Sequence, residues 1–274
     1  MQFDFGQNWS EFSEKALTSD KILEAKSDFA CLMEGATLKD KSFLDIGFGQ
    51  GLSLLTAASM GAKTVGCEIN PKCVDILNRN LTFFPEISDS DILTIIGSIL
   101  DNSTIENLRK KSPAGDGSYD IVHSWGVLHH TGNMKLAIKN AAELVRHGGI
   151  LVLALYNRHW SSTIWLVIQR FYCNCPKWIQ RAMIIFFYPV IWIAKLLATG
   201  KNPRKQSRGM DFFYDVIDWV GGYPYEYATI QEINEILNQY EFEIIRVINA
   251  EVPTGCNQFV FRLKLRGQSD GNRY

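Results

Sequence analysis

Short apolar runs alternate with amphipathic stretches over residues 41–156, and this rhythm limits the possible folds more than any other feature. The apolar runs predict buried strands, and the stretches between them predict helices. A strand–helix–strand succession favours a parallel sheet covered by helices. The predicted strands are 42–47, 64–68, 92–97, 119–125 and 150–156, and the predicted helices between them are 51–62, 71–81 and 134–149.

The rhythm stops after residue 156, and the following residues are helical, aromatic and irregular. It returns with a helix over 229–240, begun by a capping box of Thr229 and Glu232, and with strands over 242–248 and 257–265. We therefore predict five segments. They are an N-terminal helical cap (1–40), a core (41–156), a helical lid insertion (157–228), a closing helix with two strands (229–266) and a tail (267–274).

Composition excludes several classes of function. The net charge of −1 argues against a nucleic-acid partner, and the basic run 201–208 is interpreted as a solvated linker. The six cysteines lack zinc-type spacing, so we predict no metal and free thiols in the cytoplasm, with Cys173-x-Cys175 as an alternative metal or redox pair. The start of the chain shows no signal-peptide pattern.

One apolar segment bears on membrane contact. Residues 182–194 are apolar, contain Pro189 and are bounded by Arg181 and Lys195. Because a spanning helix needs about 20 residues, we expect this segment not to cross a bilayer. It suits peripheral contact with a membrane surface; the alternatives are a buried lid helix and a helix at a homodimer interface.

A glycine-rich turn follows the first predicted strand. The run "LDIGFGQG" puts Gly47, Gly49 and Gly51 between strand and helix, where a backbone without side chains lets a ligand approach the helix N-terminus. Leu52 stands where a dinucleotide-binding turn has its last glycine. Glu68 ends the second strand, where a carboxylate can accept hydrogen bonds from two ribose hydroxyls.

Residues 41–155 resemble the class I S-adenosylmethionine-dependent methyltransferases. The glycine turn and Glu68 carry the resemblance, together with "GSILD", "YDIVHSWGVLHHTGNM" and "ELVRHGGILVLALY". It implies an α/β, Rossmann-like, mostly parallel sheet of order 3-2-1-4-5-7-6 with an antiparallel seventh strand and a helical insertion between strands five and six. It also implies S-adenosyl-L-methionine as cofactor. A dinucleotide-dependent oxidoreductase and a non-catalytic scaffold that binds S-adenosylmethionine are the rival readings.

The resemblance implies the cofactor contacts. Glycines and an acid would face the methionine part, Glu68 the ribose, Ile69 the adenine, and Trp125 the sulfonium. Ser98 stands where many relatives have an aspartate for the adenine amino group, so that contact departs from the family pattern. The predicted cofactor residues are Asp45, Gly47, Gly49, Gly51, Glu68, Ile69, Ser98 and Trp125.

The end of the fourth strand bears on the methyl acceptor. Relatives that methylate amino groups of bases or glutamine carry an Asp/Asn-Pro-Pro-aromatic loop there, whereas this chain has "HSWGVLHH". His129 and His130 lie just beyond the strand and are the candidate catalytic bases, unless they only shape the loop. We interpret His123 as a packed or hydrogen-bonded residue and His147 as a helix C-terminal cation.

The stretch 211–228 combines aromatic rings with acids and contains no lysine or arginine. Rings stack on sugars while carboxylates accept from hydroxyls, so we predict a substrate lid. Together with "FDFGQNWSEF" near the start and "GCNQFVF" near the end, the run "RGMDFFYDVIDWVGGYPYE" resembles a narrower group of methyltransferases labelled ubiquinone-biosynthesis-like. This resemblance spans nearly the whole chain, and some members of the group accompany genes for surface polysaccharides. The predicted acceptor residues are Trp9, Asn157, His159, Arg208, Asp211, Asp218, Trp219, Tyr223, Glu226 and Asn257.

From these features we predict a cytoplasmic methyltransferase for a small molecule. The expected reaction is O-methylation of a sugar, nucleotide-sugar or glycan precursor. The alternative is methylation of a lipid-linked acceptor, or of a quinol or phenolic acceptor, at a membrane surface.

Overall fold

A computed structural model describes residues 3–88, 92–204 and 210–265. The predicted tail and Arg208 lie outside these ranges. The strands are β1 Ser42–Ile46, β2 Lys63–Glu68, β3 Ile92–Ile96, β4 Tyr119–Trp125, β5 Val145–Tyr156, β6 Phe242–Ile248 and β7 Cys256–Leu263. The helices are α1 Phe5–Lys15, α2 Ser19–Leu32, α3 Leu52–Ser59, α4 Lys72–Leu81, α5 Asn102–Lys110, α6 Met134–Ala142, α7 Ser162–Asn174, α8 Lys177–Thr199, α9 Phe212–Gly221 and α10 Ile230–Asn238.

The seven strands form one sheet in the order β3-β2-β1-β4-β5-β7-β6, which confirms the predicted topology. β1 to β5 pair in parallel, and β7 runs antiparallel between β5 and β6. Because side chains alternate along a strand, neighbouring residues serve opposite faces. Leu44 and Ile46 join one core cluster, whereas Phe43 joins the other. The order reverses at β1, where ligands bind in open α/β sheets.

The predicted helix over 134–149 is too long. Helix α6 ends at Ala142, and Val145 already pairs with Tyr119 as the start of β5. A Cβ on Gly149 would meet backbone oxygens of Arg146 and Asp120 at 2.8 Å, so this glycine permits close backbone approach within the sheet. The interpretation of His147 as a helix C-terminal cation is therefore wrong, because His147 lies in β5 with Nδ1 3.2 Å from the Lys264 carbonyl oxygen.

Helices α7, α8 and α9 come between β5 and α10 and form a third apolar cluster of their own. Helix α8 continues through Pro189 for 23 residues. Among the described residues it is the one helix long and apolar enough to cross a membrane, judged by length and composition. The helix extends beyond the apolar run 182–194 at both ends, so the length of that run alone does not decide between crossing a bilayer and lying on its surface.

Candidate functional site

A cavity of about 900 Å³ opens at the carboxyl ends of β1, β2 and β4. Helix α1 and the glycine turn line one part of it, and α2, α9 and β7 line another. This volume lies within the range of small-molecule and cofactor sites. The predicted site residues that line it are Trp9, Asp45, Gly47, Gly49, Glu68, Ile69, Ser98, Trp125, His129, His130, Asp218 and Trp219.

The glycine turn depends on backbone angles that other residues rarely adopt. Gly47, Gly49 and Gly51 have φ values of 73°, 52° and 80°. A Cβ on Gly49 would stand 3.1 Å from Trp9 Nε1, because α1 lies directly over the turn. Gly51 does not line the cavity; it is the N-cap of α3, where a Cβ would collide with Leu77.

Glu68 binds the backbone at the edge of the cavity. Its Oε2 accepts from the Gly49 N–H at 3.0 Å, and its Oε1 accepts from Ile69 at 2.8 Å and Asn70 at 3.0 Å. Burial raises the pKa of this carboxyl, although the three N–H donors oppose the shift. A carboxylate offers about four acceptor positions, so Glu68 keeps capacity for a hydroxyl in the cavity.

The part of the cavity beside the segment after β2, where the adenine contact was predicted, has an exposed apolar side chain. Ile69, in the segment after β2, is 54% exposed and lines the cavity. Ser98 Oγ accepts from the Leu100 N–H at 3.1 Å and also lines it, so its oxygen is partly engaged. Together they provide a flat apolar surface beside a polar atom, which suits a heteroaromatic ring.

A second buried acid lies at the end of β1. Asp45 Oδ1 is 2.8 Å from His123 Nδ1, and both side chains are buried while lining the cavity. The ring of His123 stacks on Phe43. Next along β4, the Trp125 indole N–H donates to Gln258 Oε1 at 3.2 Å, which fixes that ring at the cavity wall.

His129 and His130 form a 3-10 helix after β4 and are both buried. His130 Nδ1 donates to the Pro224 carbonyl at 2.7 Å, and the Phe5 ring lies 4.7 Å away. Burial lowers the pKa of His130 to about 4 and that of His129 well below its usual value. Both rings are therefore neutral near pH 7, but a base with so low a pKa accepts a proton weakly.

Helix α9 brings two carboxyl groups to the opposite wall. Asp218 Oδ1 accepts from Asn8 Nδ2 at 2.6 Å, and Asp215 Oδ2 is 3.3 Å from Lys195 Nζ. Both residues line the cavity and are half-buried. Burial raises the pKa of both, and the neighbouring Asp215 charge raises that of Asp218 further, to well above its usual value.

Several predicted acceptor residues lie outside the cavity lining, because other contacts engage them. Asp211 is the N-cap of α9 and pairs with Lys21 at 3.0 Å. Glu226 Oε2 accepts from the Met134 N–H at 2.9 Å, at the start of α6. Asn257 bonds Ala250 and Asn157, while His159 Nδ1 lies 2.8 Å from Ser161 Oγ. Tyr223 contributes its carbonyl to the Phe3 N–H at 2.9 Å.

The cavity also has lining residues that sequence reasoning missed. Gln258 lines it, whereas its predicted neighbour Asn257 does not, since adjacent residues of β7 face opposite sides. Tyr156 also lines the cavity. It is the last residue of β5, and its position at the end of a predicted strand could have identified it from the sequence. Cys31 of α2 is exposed and lines the cavity, so it stands at the rim. Within the described residues, no group of three metal-ligating side chains comes together.

Comparisons with known proteins agree with this geometry. A family model described as a methyltransferase domain matches residues 20–247. A ubiquinone biosynthesis O-methyltransferase of Coxiella burnetii is 27% identical over 132 residues, which are 48% of this chain and 50% of that protein. One of Agrobacterium fabrum is 30% identical over 42% of this chain and 40% of its own. The chain thus spans half the length of these relatives or less.

Solved structures share the fold at low identity. A methyltransferase of Anabaena variabilis has a TM-score of 0.56 at 11% identity, covering 96% of this chain and 98% of that one. Magnesium protoporphyrin IX methyltransferase from Synechocystis, crystallised with S-adenosylhomocysteine (SAH), has a TM-score of 0.52 at 15% identity, covering 88% and 82%. The glycine turn, the buried Glu68 at the end of β2 and the exposed apolar side chain of Ile69 fit S-adenosylmethionine.

Proposed function

This chain belongs to the methyltransferase-domain family as a class I S-adenosylmethionine-dependent methyltransferase, and we propose that it methylates a hydroxyl of a phenolic or lipid-linked acceptor. The acceptor is taken up at a membrane surface through the helical insertion. This reverses the order of the two acceptor classes expected from the sequence, where sugars came first.

One observation carries the proposal: helix α8 both contributes to the wall of the cavity and has an exposed apolar face. Lys195 of α8 lines the cavity, whereas Ile185 and Leu197 are 75% and 81% exposed. Exposed aliphatic and aromatic side chains continue along that face and onto α7. They are Trp178, Phe186, Val190 and Ile193 on α8, and Ile164, Val167 and Phe171 on α7. An apolar surface of this kind favours the interface of a bilayer.

The position of α8 favours a helix that lies along a membrane. Ile184 and Ile191 pack into the cluster of the insertion, and Lys195 pairs with Asp215. A spanning helix would have to leave these contacts. Arg181 and Lys177 at one end suit anionic lipid head groups. We propose peripheral contact of a protein located in the cytoplasm.

The names of the relatives support oxygen as the methylated atom. The Coxiella and Agrobacterium relatives are O-methyltransferases of ubiquinone biosynthesis, and the matched part of this chain is less than half its length. This support concerns the methylated atom, an oxygen. It leaves the particular acceptor to experiment.

Methyl transfer needs two reactants held in line and shielded from water. The cofactor supplies an electrophilic methyl group. Glu68 would hold its ribose and the glycine turn would face its methionine part, while Trp9 and Trp125 line the same cavity. In the proposed reaction the acceptor oxygen would form a bond to the methyl carbon as the carbon–sulfur bond breaks, which would leave S-adenosylhomocysteine, and the proton of the hydroxyl would pass to a base at the cavity wall.

Asp218 is our candidate for the proton acceptor. Its carboxyl lines the cavity, and its pKa is raised by burial and by Asp215, which brings its basicity closer to neutral pH than that of an ordinary carboxylate. His130, whose pKa is about 4, is the weaker choice. Loss of the acidic limb of the pH–rate profile in Asp218→Asn, with SAH affinity retained, supports this role; an unchanged profile removes it.

A sugar remains the second candidate, because Asp215, Asp218 and Trp219 line the same wall. Carboxylates accept from hydroxyl groups, and an indole ring stacks on the apolar face of a sugar. A mass-shift screen with matched libraries of phenols, quinols and sugars separates the two. A 14-Da gain confined to the sugar library overturns the phenolic assignment.

Liposome co-sedimentation tests the membrane part. The double variant Ile185→Glu/Phe186→Glu should lose binding to vesicles containing anionic lipid, because it puts two charges in the apolar face. Leu23→Glu is the matched control, since Leu23 on α2 is also well exposed, at 64%. Equal sedimentation of all three proteins contradicts the proposal.

A further inference from the structure

Helix α1 contacts two parts of the cavity wall, the glycine turn and helix α9. Towards the turn, the Ser13 hydroxyl donates to Asn80 Oδ1 at 2.6 Å, and Asn80 Nδ2 donates to the Gln50 carbonyl oxygen at 2.8 Å. The Trp9 ring covers Gly49 of the same turn. Ser13 and Asn80 are buried, where hydrogen bonds are stronger than in water. These contacts fix α1 relative to the turn.

Asn8 is the residue of α1 that reaches the acid-bearing wall on α9. It is 5% exposed and directly precedes Trp9. Its Nδ2 donates to Asp218 Oδ1 at 2.6 Å and to the Tyr214 carbonyl oxygen at 3.3 Å. Because a backbone carbonyl oxygen only accepts hydrogen bonds, the nitrogen of the Asn8 amide, and not its oxygen, must face α9. Asn8 is therefore a donor to the Asp218 carboxyl.

This contact occupies one of the two carboxyl oxygens of Asp218. The residue is half-buried and lines the cavity. Among the described residues, Asn8 is the one side chain that donates a hydrogen bond to it. A carboxylate has two acceptor oxygens, so Oδ2 remains for a hydroxyl group in the cavity. An amide donor favours the ionised form of the carboxyl, which is the form that accepts a proton.

Asp218 and the glycine turn belong to different parts of the fold. Asp218 is on α9, whose Val216 and Val220 pack in the apolar cluster of the insertion. Phe48, within the glycine turn, packs in a cluster of the sheet. Methyl transfer requires fixed positions of the reacting groups, and a displacement of about 1 Å can reduce the rate about 100-fold. A contact that joins the two parts therefore affects the rate directly.

We propose that Asn8 is a positioning residue that holds the Asp218 carboxyl in a fixed place relative to the glycine turn, and so fixes the base relative to the cofactor. Asn8 does not line the cavity, so it acts through Asp218. The inference rests on the proposed function, in which Asp218 accepts the proton of the acceptor hydroxyl.

The pH dependence of denaturant unfolding tests the contact without any acceptor. Burial and the Asp215 charge raise the pKa of Asp218 well above its usual value, and the bond from Asn8 opposes this rise. Asn8→Leu removes the donor and should therefore raise this pKa further. Its cost in stability should be small below the folded pKa, where the carboxyl is protonated in both proteins, and should grow as pH rises through it.

Two further variants separate this effect from a loss of packing. In an Asp218→Asn background, the cost of Asn8→Leu should not change with pH, since the side chain at that position no longer ionises. Gln7→Leu, on the exposed side of α1, is the matched control, and its effect should be the same at pH 5 and pH 8. Asn8→Ala replaces Asn8→Leu where the larger side chain prevents folding.

Other ionisable groups near the Asp218 carboxyl do not imitate this result. They are Asp215 on α9, Lys195 on α8, Tyr172 on α7, Tyr156 on β5 and His130, which approaches Gly222 after α9. Burial raises the pKa of both tyrosines and lowers that of His130 to about 4, so these three stay neutral between pH 5 and pH 8. Titration of Asp215, which pairs with Lys195, persists in the Asp218→Asn background.

An equal cost of Asn8→Leu at pH 5 and pH 8, or the same pH dependence in the Asp218→Asn background, overturns the proposal. With an acceptor from the mass-shift screen, the acidic limb of the pH–rate profile of Asn8→Leu should move to higher pH. Turnover at pH 6 should fall about tenfold, the effect of losing one hydrogen bond to a charged group, while SAH affinity stays at the wild-type value. An unmoved limb, where Asp218→Asn loses that limb, overturns the role of Asn8 alone. An unchanged profile in Asp218→Asn instead contradicts the proposed base, and the role of Asn8 with it.

Discussion

Glu68 performs two tasks with one carboxylate. It binds the N–H groups of Gly49, Ile69 and Asn70, which keeps the glycine turn beside the end of β2. Its remaining acceptor capacity faces the cavity. Loss of the carboxylate would therefore remove the proposed ribose contact and the hydrogen bonds that hold the turn at the same time.

Glu68→Ala should weaken SAH binding at least tenfold, about 1.4 kcal/mol, in a calorimetric titration. Charge-assisted hydrogen bonds of about 1.5–3 kcal/mol justify this size. Glu106→Ala on the exposed face of α5 is the control and should leave the affinity unchanged. Wild-type affinity in Glu68→Ala would contradict the ribose contact.

Asp218 is part of the cavity wall formed by α9, and its ionisation also affects the stability of the fold. Its pKa in the folded protein is raised well above the ordinary value by burial and by Asp215. A raised carboxyl pKa means that folding favours the protonated form. The stability associated with that form is complete below the unfolded pKa of about 3.9 and is lost as pH rises through the folded pKa.

Asp218→Asn should therefore be more stable than wild type at pH 8, since asparagine imitates the protonated carboxyl and cannot ionise. The advantage should shrink as pH falls and vanish near pH 4. Thermal unfolding at both pH values measures it. A variant that is less stable than wild type at pH 8 shows that the ionised carboxylate, and not the acid, is the stable form.

At the scale of elements, the strands were the most predictable part of the chain. Apolar runs such as 42–47 and 119–125 lie within one residue of β1 and β4. The errors in the predicted elements occurred where contacts between distant residues determine the local structure. Gly148 and Gly149 resembled a helix end, yet both lie in β5, where Gly149 closely approaches the backbone of Asp120. Helix α5 was missed, because Ile105 and Leu108 are its only large buried side chains.

The candidate site was predictable where a motif is local. The glycine turn and Glu68 follow from chain order alone. The environment of His130 did not, because Phe5 and Pro224 come from distant parts of the sequence to cover it. The sequence pattern also could not show that the acids of the stretch 211–228 have different roles. Asp211 caps α9, whereas Asp218 faces the cavity, and only the packing of α1 against α9 distinguishes them.

Glu226 connects the segment after α9 to the start of α6 and to the 3-10 helix before it, which lie far earlier in the sequence. Its carboxylate accepts from the Met134 N–H at the start of α6, and its own N–H donates to the His129 carbonyl. Glu226→Ala should destabilise the protein by about 1–3 kcal/mol, because the N–H of Met134 loses its partner. Denaturant unfolding measures this, with Glu235→Ala on exposed α10 as control. A change below about 0.5 kcal/mol contradicts the role.

At the scale of the molecule, the sheet and the insertion have separate apolar clusters. Val122 of β4 and Val216 of α9 are both fully buried, but they belong to different clusters. Packed residues of one cluster support one another more than they support the other. The insertion can therefore open while the sheet stays folded.

Hydrogen exchange on two matched variants tests this independence. Val216→Ala should lower protection in α7 to α9 by about 1–3 kcal/mol while leaving the strands β1 and β4 protected. Val122→Ala should lower protection throughout. If Val216→Ala lowers protection equally in sheet and insertion, the chain unfolds as one unit.

The cysteines differ in ways that permit site-selective chemistry. Burial raises the pKa of Cys67 to about 12 and also raises that of Cys73, so neither thiol forms a reactive thiolate near neutral pH. Cys31 alone of the six is exposed, and it stands at the rim of the cavity. A maleimide dye should consequently attach there first and report ligand occupancy by fluorescence, which turns the native protein into its own sensor for acceptor screening.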